Sequence, residues 1–228
     1  MARPGVLGLA AVASVGLLSG CDRAPRTNRF MVVVDVDTPT GIRTGHSVVE
    51  ETVIPSPWYS ISENRFSSRF RGEAVMVDLP EGQKLFALLR NRDGIDLPNL
   101  IGRTVEGAES EGGVSTTFEM PVHNSSVPRG GSGQPMLVTF DDPIDPTTMR
   151  EVDPLRLDVA FGDGYSLRSI HVSETSQEPT TTILSHLPWL SGVGQQRGSV
   201  LPNPPRYMGD ASPIQLVAPS DFDTELYR

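Results

Sequence analysis

The side chains of this sequence best suited to proton transfer or metal binding are four histidines, His46, His123, His171 and His186, and a set of carboxylates between residues 141 and 153. The histidines stand singly, and no His-x-x-x-His pair occurs to place two imidazoles on one helix face for zinc. A general base must reach a nucleophile and usually needs a carboxylate to orient it, so any such site here has to be assembled by the fold, from His46 or His171 with Asp and Ser partners. The acidic cluster is Asp141, Asp142, Asp145, Glu151 and Asp153. Calcium takes about six to eight oxygen ligands, but Asp-Asp-Pro-Ile-Asp-Pro leaves unfilled the glycine and terminal glutamate of the calcium loop. These aspartates read as turn caps. A Gly-x-Ser-x-Gly elbow and a Gly-Lys-Ser/Thr phosphate loop are absent, and Ser-x-x-Lys is excluded because Glu81 stands three before the single lysine, Lys84. The sequence therefore assigns no catalytic, metal-binding or cofactor-binding residue.

Cys21 is the one side chain with a strong local context. Arg3 supplies a positive charge, residues 6–18 are apolar apart from Gly and Ser, and Leu18-Ser19-Gly20-Cys21 closes the run with small residues. That is the form of a secretory signal, too short and glycine-rich for a spanning helix. Cys21 is also the only cysteine, so no disulfide can form within one chain. The segment resembles a bacterial lipoprotein signal, cut before Cys21, whose sulfur then receives acyl chains such as palmitate. The resemblance implies a cell-membrane anchor on the periplasmic face, and Asp22 favours the inner membrane. More than one acyl chain would make the tether stable, since each buried methylene contributes about 0.8 kcal/mol.

The remaining chain must supply the elements that position everything else. Residues 21–28 are anchor and spacer. Residues 30–37 alternate, with Phe30, Val32, Val34 and Val36 on one face, and predict a strand returned by residues 42–54 around Thr38-Pro39-Thr40-Gly41. Residues 73–79 and 85–90 predict a second hairpin around Pro80-Glu81-Gly82-Gln83, and Gly41 and Gly82 are expected at positive φ. The two turns share a written pattern, which the common demands of a glycine turn explain better than duplication. Trp58 and Tyr59 lie in an irregular connection. Residues 93–135 read as a polar insertion, flexible over about 102–134, with one strand candidate at 114–122. Residues 136–140 and 165–173 predict strands. Asp153-Pro154 and Gly162 bracket a short helix over 155–161, although Leu155, Leu157, Val159 and Phe161 alternate as a strand would. A second short helix is expected within 180–187. From residue 191, Gly, Pro, Ser and Gln dominate and the reading is a disordered tail.

Gly and Pro, 22 and 20 of 228 residues, mark a turn-rich chain. Removing residues 1–20 takes away one positive charge, Arg3, so the net charge of −9 becomes −10, which excludes a general nucleic-acid binder. The expected organisation is a signal peptide at 1–20, a single β-rich α+β domain at 29–190 built of antiparallel hairpins in a sandwich-like core with one or two short helices, and a tail at 191–228. Asn28-Arg29-Phe30, Gly41-Ile42-Arg43-Thr44-Gly45, residues 72–89, and residues 137–190 ending Leu187-Pro188-Trp189-Leu190 together resemble a family of small exported bacterial proteins with no assigned activity. The resemblance implies an exported single domain and carries over no site residues. The function expected is a lipid-anchored envelope binding or structural accessory protein, whose partner is an envelope protein or glycan. The alternative is an envelope hydrolase with a scattered histidine site.

Overall fold

The computed structural model describes residues 24–56, 66–110, 117–121, 132–193, 198–202 and 211–227. Residues 1–20, expected as a signal peptide, and Cys21, Asp22, Trp58, Tyr59 and His123 lie outside the described residues. β1 (Arg26–Thr38) and β2 (Gly41–Pro55) form one antiparallel hairpin in which Thr38 pairs with Gly41 across Pro39-Thr40. The Thr38 hydroxyl donates to Gly41 O at 2.6 Å and accepts from Thr40 N, while Gly41 takes φ +115° as its place in the turn predicts. Residues 26–28, expected as spacer, are thus already strand. β3 (Phe66–Arg71) extends the β2 edge, and β9 (Ser166–Glu174) and β6 (Thr117–Glu119) extend the β1 edge, giving the order β3-β2-β1-β9-β6.

A second antiparallel sheet has the order β4-β5-β7-β8, from β4 (Val75–Asp78), β5 (Lys84–Ala87), β7 (Leu137–Phe140) and β8 (Met149–Val152). Its first hairpin turns through Pro80–Gly82 with Gly82 at φ +78°. Glu81 is also left-handed there, φ 59°, so this turn differs from the Pro39-Thr40 turn and the shared sequence pattern reflects turn chemistry. Val32, Val34 and Val36, as alternation predicts, are fully buried, and they meet Val75, Val77, Leu85, Ala87, Leu137 and Val152 from the second sheet. The opposite face of the second sheet is buried as well. Phe86, Leu88, Met136, Val138 and Phe140 form a separate core with Ile183, Leu187, Leu190, Val217 and Phe222. A sheet covered on both sides reads as an unbroken apolar run, which is why residues 85–89 and 136–140 show no polar alternation.

The architecture is β-rich α+β, two antiparallel sheets packed face to face with few helices. Two expectations are overturned. Within the supposed insertion, α1 (Leu97–Ser110) buries Leu97, Leu100, Ile101 and Thr104 at helical spacing against the inter-sheet core. Asp96 starts it by accepting from Asn99 N at 3.1 Å. Gln134 is buried too, donating to Met120 O. The tail is likewise ordered over 211–227, because Val217 and Phe222 have an apolar sheet face to cover. α2 (Leu157–Phe161) starts later than Asp153-Pro154 predicts, after a turn in which Asp153 accepts from Leu155 N, and it ends at Gly162 as expected. α3 (Ile183–His186) and α4 (Leu190–Val193) lie on the second core.

Candidate functional site

The two-residue turn fixes which side chains share the outer face of the five-stranded sheet. Val33 pairs with His46 on one side and His171 on the other, and His171 pairs in turn with Glu119. One step along, Asp35 pairs with Thr44 and Ser169. Directly paired residues point to the same face, so the sheet brings together two rows, His46-Val33-His171-Glu119 and Thr44-Asp35-Ser169. Sequence reasoning had named both histidines without placing them side by side. It had missed Asp35, Thr44 and Ser169 as partners, although the turn at Pro39-Thr40 implies the Asp35–Thr44 pairing.

The centre of the site is the Asp35 carboxylate. Oδ1 accepts from Thr44 Oγ1 at 2.6 Å, and Oδ2 accepts from Ser169 Oγ at 3.1 Å. His171 Nδ1 stands 4.0 Å from the same Oδ2, close enough for attraction once protonated but beyond a hydrogen bond. The serine hydroxyl is therefore held by a carboxylate rather than aimed at an imidazole, and the geometry is that of a cross-strand polar ladder on an open sheet face. Beyond Asp35 the β1–β9 register shifts, leaving Arg168 as the extra residue of a bulge. A bulge re-aims its side chain, and Arg168 closes on Asp37 at 2.7 Å.

One side of this face is covered. Thr175 N donates to Arg29 O on β1, the Arg29 guanidinium reaches both Glu50 at 2.7 Å and Glu178 at 2.8 Å, and Val48 N donates to Thr180 Oγ1 at 3.2 Å. Residues 175–180 so cross from the β1 edge to the far side of β2 and bury Val48 and Glu50. Thr44 and His46 stay exposed.

The acidic cluster is consumed locally. Asp141 pairs with Arg150 at 2.6 Å, Asp142 accepts from Ile144 N, and Glu151 pairs with Arg92. Asp145 accepts from the Thr147 hydroxyl and amide, which hold its carboxyl below the ordinary range. These are capped turns, and among the described residues no group of three or more His, Cys, Asp or Glu is arranged to hold a metal. His186 ends α3, apart from the two rows. Comparison with protein-family models, curated proteins and solved structures returns no match.

Proposed function

We propose that this chain is a lipid-anchored accessory protein of the cell envelope, tethered through Cys21 on the periplasmic face and binding a protein or glycan partner through its β domain. The observation that carries the reading is the engagement of Asp35. Its two oxygens serve the Thr44 and Ser169 hydroxyls on an open face, so neither hydroxyl is aimed at His171, and the face supports recognition that needs neither histidine rather than acyl transfer. The Leu18-Ser19-Gly20-Cys21 box supports the anchor, and β1 begins only five residues beyond it. Thirteen residues at about 3.3 Å each carry the Pro39-Thr40 turn roughly 40 Å from the tethered end. The sheet face would have that reach from the tether, with Asp22 favouring the inner membrane.

Crosslinking in native envelopes tests the reading. A His46→Ala, His171→Ala variant is expected to fold, stay acylated and retain the crosslinked partner. A variant that folds and stays anchored but loses its cellular role while keeping the partner would replace binding with the hydrolase reading, for which the proximity of His171, Asp35 and Ser169 is the structural basis.

A further inference from the structure

Residues 211–227 cross the end of the β4–β5 hairpin in three short 3-10 turns, Pro213–Leu216, Pro219–Asp221 and Thr224–Tyr227, with one antiparallel bridge between Glu73 and Asp223. Ala74 N donates to Phe222 O at 2.8 Å, Leu89 N to Asp221 O at 2.8 Å, and Thr224 N to Gly72 O at 3.1 Å. Arg90 Nη1 donates to Leu216 O at 3.0 Å. Between these main-chain bonds the Phe222 ring fills a slot made by Phe86, Phe140 and Trp189, with centroids at 6.3, 5.9 and 5.6 Å. Main-chain hydrogen bonds give a docked peptide its affinity, and a pocket for one side chain gives it specificity.

The fit is incomplete at two points. Trp189 Nε1, beside Phe222, is buried with no hydrogen-bond partner among the described residues. Asp223 is buried next to Glu73 and Glu225. Arg71 is engaged by Glu225 at 3.0 Å and Arg90 faces Asp221 at 3.6 Å, so neither cation is bridged to Asp223. Glu73 is held in place because it accepts from Ile183 N and Thr182 Oγ1 at the start of α3. A carboxylate with a buried like charge beside it and no cation opposite weakens the segment that carries it.

We propose that this groove is a peptide-binding site filled in cis by residues 211–227, and that a partner segment with the same turns, an aromatic side chain at the Phe222 position and a neutral one at the Asp223 position displaces them. The proposal rests on the binding reading above and names the kind of partner. The groove supplies the amides of Ala74 and Leu89, the carbonyl of Gly72, the aromatic slot and an indole donor unused among the described residues; the partner supplies carbonyls, an amide, a ring and an acceptor for Trp189.

Residue-resolved hydrogen exchange on the purified protein tests it. The amides of Ala74 and Leu89 are expected to exchange through an opening far more frequent than the one that exposes Val34 and Ile170. Asp223→Asn should slow that exchange. A labelled peptide of residues 211–227 carrying Asp223→Asn should bind the intact protein, and the same peptide with Phe222→Ala should not. Ala74 and Leu89 exchanging only with global unfolding, or no binding of the Asn peptide, would overturn the groove. A Cys21 found without lipid would overturn the anchor and leave this exchange unchanged, so the two failures are distinguishable.

Discussion

Gly45 stands opposite Val34 in the β1–β2 ladder, where β4 crosses the first sheet, and a Cβ there would overlap the carbonyl oxygen of Met76. The atom in the way is backbone, which cannot rotate aside, so the sheets must part. Gly45→Ala is expected to cost about 3 kcal/mol or more, at the upper end of overpacking, read as a shift in the urea midpoint. Gly102 gives the opposite sign, since a Cβ there meets open space on α1 and Gly102→Ala should stabilise by about 1 kcal/mol. Equal effects at the two sites would mean that β4 does not approach the hairpin as described. Gly41 is constrained by φ instead of space: nothing lies near its missing Cβ, yet φ is +115°. Gly41→Val should lower the melting temperature, at about 2–4 °C per kcal/mol, with Thr40→Val changing it far less. A Thr40→Val loss as large as the Gly41→Val loss would refute the turn geometry.

At the scale of elements, the second sheet depends on a segment whose composition argues for disorder. Phe222 is fully buried among Phe86, Phe140 and Trp189, so Phe222→Ala should cost about 3–5 kcal/mol, whereas Leu184→Ala, on an exposed side chain, should cost little. A Phe222→Ala protein as stable as the parent would restore the disordered tail. The same segment should respond to pH. Burial pushes the Asp221 and Asp223 carboxyls above their ordinary range, and Glu73 and Glu225 push Asp223 further the same way. The docked state therefore holds these protons more tightly than the released one. Docking is strongest below the ordinary carboxylate range and weakens as pH rises through the raised values. Exchange at the Ala74 amide, corrected for its intrinsic rate, should reveal more frequent opening at pH 7 than at pH 5, and Asp223→Asn should reduce the difference. The elements that alternation could reveal were legible in the sequence: Val32, Val34 and Val36 marked β1, and Pro39 to Gly41 marked its turn. α1 was hidden because Pro98, Gly102 and a polar second half obscure the Leu97, Leu100, Ile101, Thr104 stripe. β8 was hidden among Asp, Pro and Thr, with too few residues for a period. Phe222 was unreadable for a different reason, because an isolated apolar residue declares its burial only once the sheet face it covers is known.

At the scale of the whole molecule, the site and the proposed anchor would be coupled through β1. The strand carries Val33 and Asp35 at the centre of the outer face, and its first residue follows closely on the segment that would be acylated. On the proposed reading a tether this short would confine the domain near the bilayer, so losing it should separate location from folding. Cys21→Ser is expected to leave the signal uncleaved by the lipoprotein peptidase and the sulfur position without lipid. The β domain should be unaffected, since its described core begins with Phe30 and Val32. Two measurements check this together: mass spectrometry of the mature N-terminus, and thermal unfolding of the parent and of a chain starting at Asp22. The parent should carry diacyl or triacyl mass on Cys21, and the two unfolding curves should coincide within a degree or so. A mature N-terminus elsewhere with no lipid mass would remove the membrane from the proposed function, and binding through the sheet face would then be that of a freely diffusing exported protein.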